Sequence, residues 1–131
     1  MAFFRPRVSR EAEVRYHSDQ EVGKSFGSAL RKAREAQRRY RAVQASGAPV
    51  EELREAALVL DAALTEALRA AEAAQRSTLG VKAYDDRIAR RKARATPKGA
   101  LWTDEVNRLR TLREANRIDI PRVPRASAVG R

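Results

Sequence analysis

Between Pro49 and Ser77 one apolar series runs without a gap: Leu53, Ala57, Leu60, Leu64, Ala67, Leu68 and Ala71. Steps of three and four residues place these side chains on one side of an α-helix, and they do not fit the two-residue alternation of a half-buried strand. Pro49 suits the first turn of such a helix, and Glu51 and Glu52 follow beside its positive end. Ahead of it Val22, Phe26, Leu30, Ala33, Gln37, Tyr40 and Val43 form a second series, interrupted only by Gln37. Ser46-Gly47 closes that stretch, because glycine accepts the left-handed conformation of a helix C-cap. Two helices of roughly 26–29 residues, each about 40 Å long, joined only by Gly47-Ala48-Pro49, predict an antiparallel helical hairpin.

The start of the first helix is read at Ser18, whose spacing to Glu21 matches a capping box. Gly23 and Gly27 weaken the stretch that follows, and are read as a frayed first turn or a later start at Ser28. The other reading is a close approach by a second helix. Past Thr78-Leu79-Gly80, a narrow stripe of Val81, Tyr84, Ile88 and Ala95 predicts a helix over 81–95. Thr96-Pro97-Lys98-Gly99 reads as a turn. A last helix is expected over 103–116, with Asp104 and Glu105 in its first turn and Val106, Leu109 and Leu112 facing inward. Trp102 is expected to pack against the hairpin. The fold class is therefore all-α: a long hairpin, one or two shorter helices, and extended arms at both ends. Residues 1–17 form the first arm, 18–117 the helical domain (helices near 19–46, 49–77, 81–95 and 103–116) and 118–131 the second arm.

Large apolar side chains are scarce. Leu, Ile, Val and Phe supply 26 of 131 residues, and 25 alanines favour helix while burying little area. A core of this kind calls for partners to cover what it leaves exposed. Both arms carry apolar groups that a free chain leaves in water: Phe3 and Phe4 at one end, Ile118, Ile120 and Val123 at the other. Prolines 6, 121 and 124 hold those segments extended, in a form able to lie in a neighbouring subunit's groove or add to a sheet edge.

The net charge is +11, from 28 basic and 17 acidic residues. Arginine supplies 23 of the 28, a bias that GC-rich coding also produces, so the charge itself is the evidence. It is unevenly spread. Residues 22–46 hold seven basic and one acidic side chain, residues 47–77 three and six, and residues 78–100 seven and two. Pairing across a hairpin offsets part of the first cluster, which contains Arg31, Arg34 and Arg38. Arg87, Arg90, Arg91 and Arg94, with Lys98 beyond, have no such complement nearby. Their spacing puts the four arginines on one helix face, and guanidinium forks suit phosphate. Sequence-specific readout is not indicated, since zinc-finger spacing and aromatic-rich RNA-binding motifs are missing.

Little points to catalysis. His17-Ser18-Asp19 juxtaposes three catalytic residue types, but a relay is defined by spatial geometry, not by adjacency. Asp85-Asp86 is the one paired carboxylate with any claim on a cation, and successive helix residues diverge by about 100°. One His and no Cys make a conventional zinc site improbable, and no phosphate-loop glycine pattern is present. No cofactor is expected. The start lacks the apolar run of a secretory signal, and a virion or cytoplasmic location without membrane association is expected. The expected function is that of a non-enzymatic assembly protein embedded in a multi-subunit particle, with a bacteriophage virion as the setting. Its partners are protein subunits, DNA or RNA reached through phosphates, and copies of itself. The rival expectation is a nucleic-acid-binding protein without sequence preference, of a packaging, chromatin-like or ribosome-associated kind.

Overall fold

The computed structural model describes residues 8–123, and every regular element among them is helical. The helices are α1 (Arg10–Lys24), α2 (Phe26–Ala45), α3 (Val50–Thr78), α4 (Arg87–Arg94) and α5 (Pro97–Asp119), with a 3-10 turn at Val81–Tyr84. α1, α2 and α5 each pack along α3, which is the shared spine. Seven of the ten buried residues on α3 are alanines. An alanine surface lets neighbouring backbones come close, so three helices are gathered round one with few large side chains. Leu60, Leu64 and Leu68 share the core with Tyr40 and Val43 of α2 and Val106 and Leu109 of α5. Trp102 packs on that core and meets Phe26 edge to face, ring centroids 5.2 Å apart. No helix among the described residues is long and apolar enough to cross a membrane.

The N-terminal boundary differs from the sequence reading. Residues 10–17 belong to α1, and its cap is Ser9, whose Oγ accepts the Ala12 amide at 3.1 Å. Glu11 and Glu13 occupy the first turn, where negative charge is favoured. Ser18, read as a capping residue, is exposed in mid-helix. The single helix expected over 19–46 is interrupted at Ser25, whose hydroxyl donates to the Val22 carbonyl at 2.6 Å. Such back-bonding competes with helix continuation. α1 thereby reaches the far end of α3, at Ala74 and Arg76, while α2 lies beside Leu60, Ala63 and Leu64.

Later boundaries shift for local reasons. Gly47 takes φ +67°, and Pro49 stands at the N-cap, so α3 begins at Val50. Gly80 at φ +91° turns the chain out of α3. The helix expected over 81–95 is divided by Asp86, whose Oδ1 accepts the Ile88 and Ala89 amides at 2.9 and 3.2 Å and starts α4 afresh. The expected turn at 96–99 is instead the beginning of α5: Thr96 is the N-cap, accepting from the Gly99 amide at 3.1 Å, and Pro97 follows at the first helical position. Gly99 is buried in the corner between α4 and α5, where an added Cβ would collide with the Ala93 carbonyl oxygen.

The C-terminal arm is also shorter than expected. α5 runs to Asp119, which makes Ile118 a helical residue with 84% of its surface exposed. Asn116 Nδ2 donates to the Ala57 carbonyl at 3.1 Å, tying this end of α5 to the start of α3. Ile120 then packs on the core, and the Arg54 guanidinium donates to the Pro121 carbonyl at 2.8 Å. Ile120 and half-buried Val123 thus belong to a segment folded onto its own domain. Phe3 and Phe4 lie outside the described residues.

The two glycines flanking Ser25 separate on this geometry. A Cβ on Gly23 would stand 3.0 Å from Ala74 Cα and 3.1 Å from its Cβ, both rigid atoms, whereas a Cβ on Gly27 meets nothing within 4 Å. Gly27→Ala is therefore expected to stabilise the protein by up to about 1 kcal/mol through helix propensity and reduced unfolded-chain freedom. Gly23→Ala is expected to lose that gain and lower the melting temperature, as α1 is pushed off α3. Urea unfolding of the two variants beside the parent checks both signs.

Candidate polyanion interface

Helix α4 reads Arg-Ile-Ala-Arg-Arg-Lys-Ala-Arg, with five basic residues and no acidic one. Nothing in it is buried. Arg87 and Arg91, and Arg90 and Arg94, are like-charged pairs one turn apart, each costing a few tenths of a kcal/mol in a helix. What holds α4 is the Asp86 cap and the junctions at its ends. Arg87, Arg91 and Arg94 are exposed together, and Lys98 is exposed just beyond them. Arg90 departs from the expected ridge. It is half-buried and turned toward a cleft shared with Arg15, Arg76 and Tyr84.

A second basic surface lies on α2. Arg31, Arg34, Arg38 and Arg41 recur at helical spacing and are all exposed. α2 and α4 do not touch, so the two surfaces remain distinct among the described residues.

The expected offset of the α2 cluster by α3 is not what the structure shows. Among the described residues no basic side chain of α2 or α4 forms a salt bridge. Three of the six acids of α3 are engaged elsewhere. Asp61 accepts from Arg117 of α5 at 2.8 Å, Glu72 pairs with Arg110 of α5 at 3.2 Å, and Glu66 with Arg69 of its own helix at 3.0 Å. Glu105, the acid of α5 whose charge reaches Arg34, is held by Arg108 at 2.6 Å. The hydrogen bond from Arg108 keeps its carboxyl below the ordinary value despite partial burial. Exposed pairs of this sort add little stability. Their consequence here is one of allocation, since they pair these acids with arginines outside α2 and α4.

One polar cluster joins α1 to the 3-10 turn. Asp19 accepts a two-pronged contact from Arg76, at 2.9 Å from Nε and 3.1 Å from Nη2, and a 2.6 Å hydrogen bond from the Tyr84 hydroxyl. Burial pushes the Asp19 carboxyl up, but hydrogen bonds from Arg76 and Tyr84, with the charges of Arg76 and Arg15, outweigh it and leave it below the ordinary 3.8. Burial, and after it the Asp19 contact, moves the Tyr84 phenol far above its usual range. Sequence reading missed this cluster because its members lie 57 and 65 positions apart.

The carboxylates weighed for chemistry have structural uses. Asp19 is the anchor just described, His17 lies beside Tyr16 at 5.3 Å between ring centroids, and Ser18 is exposed. Asp85 accepts the Ser9 amide at 2.9 Å, and Asp86 caps α4. Among the described residues no group of three or more histidines and carboxylates is placed to hold a metal ion. No family model, curated protein or solved structure matches this chain.

Because the Asp19 carboxyl titrates lower in the folded protein than in the unfolded chain, its contribution is complete above about pH 5 and fades as acid protonates it. Asp19→Asn is expected to lower the melting temperature at neutral pH, and to shrink that difference as pH falls toward about 3. Parallel melts across this range check the sign.

Proposed function

We propose that the protein is a non-catalytic assembly component that seats itself on nucleic acid through its basic helix faces. The observation that carries this reading is the allocation of charge. α4 and α2 keep eleven basic side chains out of any salt bridge among the described residues, while acids of α3 are taken up by α5 and by Arg69. Phosphates arrayed along a duplex relieve the repulsion within α4, and release of their counterions drives the association. The paired helices α2 and α3, read as the antiparallel hairpin, are the rigid body that carries the second surface. Nothing in the arrangement favours base readout, so contact without sequence preference is the reading.

A particle is the setting, and a bacteriophage virion is the example we favour. Val14, Ile88, Leu101 and Ile118 expose between 62% and 84% of their surface, but they are spread over three helices, so the particle reading leans on the basic faces. The basic faces carry more of the argument than the arms, since Ile120 is folded onto the domain's own core.

Binding to a duplex of arbitrary sequence, measured across salt concentrations, tests the reading. The protein is expected to bind with a steep salt dependence. Replacing Arg87, Arg91 and Arg94 by Gln is expected to reduce the slope of log K against log salt by about 2.7, at about 0.9 per lost phosphate contact. An unchanged slope, or no binding at low salt, contradicts it.

A further inference from the structure

The cleft beside Arg90 has a chemistry of its own. It lies where α1, the 3-10 turn and α4 meet the end of α3, and is lined by Arg15, Arg76, Leu79, Ala83, Tyr84 and Arg90. Three guanidiniums from three helices converge on it. Arg76 is committed to Asp19, through contacts at 2.9 and 3.1 Å. Arg15 and Arg90 form no salt bridge among the described residues.

The cleft is organised in advance. The Arg15 guanidinium lies over the Tyr84 ring, 5.6 Å from its centroid. Tyr84 is fixed at its hydroxyl by Asp19 and at its ring by Tyr16, edge to face at 6.1 Å. Arg15 lies within range of the Asp19 and Asp85 charges without a salt bridge to either: Asp19 is held by Arg76 and Tyr84, and Asp85 accepts the Ser9 amide. Half-burying a guanidinium without a carboxylate opposite it is unfavourable. Arg90 nevertheless turns inward from a helix whose other arginines face solvent. The free volume is about 50 Å³ in a cleft open to solvent on one side, several times the roughly 10–15 Å³ that one water needs by this measure. A single tetrahedral oxyanion fits those limits, with two planar forks to receive it.

We propose that Arg15 and Arg90, backed by Arg76, form a seat for one phosphate group, supplied by the backbone of the bound duplex. This deepens the nucleic-acid reading and rests on it for the source of the phosphate. The seat adds a contact from α1 that the α4 ridge does not provide.

The test uses the full chain in two arms. In the first, the Nε–Hε resonances of Arg15, Arg90, Arg31 and Arg38 are followed during titration with inorganic phosphate, against chloride of matched ionic strength. Arg15 and Arg90 are expected to shift saturably with a common midpoint, while Arg31 and Arg38 show only the ionic-strength response. In the second, Arg15→Gln is expected to lower the duplex salt slope by about 0.9, and Arg15→Lys to keep more of the affinity than Arg15→Gln. If the duplex binds but Arg15→Gln leaves the slope unchanged and phosphate moves Arg15 and Arg90 no more than Arg31, the seat is overturned while the nucleic-acid reading stands. If phosphate saturates the pair but no duplex binds, the seat stands with a phosphate of another source and the nucleic-acid reading falls. Failure of both arms removes both.

Discussion

Close approach at alanine is the constraint on which the rest of this structure depends. α3 meets three helices, and most of what it buries is a methyl group. Alanine contributes little transfer free energy by itself, but it brings backbones near and costs almost no side-chain entropy to order. Gly23 against Ala74 carries the same logic to its limit on the α1 side. A chain with few large apolar residues can be organised in this way provided one helix is long enough to serve several neighbours. At 29 residues α3 is the longest helix described.

That arrangement also decides where charge goes. α5 lies along α3 with Arg110 and Arg117 over Glu72 and Asp61, and so pairs two of the acids of α3 with its own arginines. Near the C-terminal end of the spine Asp19 is engaged by Arg76 and Tyr84. The excess positive charge is therefore concentrated on α2 and on α4. The latter is a helix without a buried residue, held by a cap and by what surrounds it. Under the proposed function, an element so lightly anchored and burdened with like-charge pairs would gain order on binding an anion. The charge that weakens α4 in isolation is what the proposed phosphate contact would relieve.

The all-helical fold was legible in the sequence because the stripe from Leu53 to Ala71 has a period only a helix satisfies. So was the stop at Gly47, where left-handed backbone is required. The start of α1 was misplaced because Ser18 and Ser9 both present capping chemistry locally, and the choice between them rests on distant partners such as Ala74, Arg76 and Tyr84. The Thr96-Pro97 pair holds a readable signal, an N-cap followed by proline at the first helical position, although the same residues also read as a turn. The α4 ridge was legible from spacing. The inward turn of Arg90 and its meeting with Arg15 were not, because they depend on how α1 and α4 dock across the 3-10 turn. Nor does a count of charges by segment reveal that α5 takes up acids on α3.

Hydrogen–deuterium exchange of the full chain, with and without a DNA duplex, tests the central claim most directly. The account predicts that α4 exchanges fastest among the helices of the free protein. On adding duplex, the amides of α4 become protected most, α2 becomes protected next, and α3 and α5 change little. Protection centred on α3 or α5, or a duplex that leaves α4 unchanged, would contradict the claim that unpaired charge on the outer helices is what this fold is built to present.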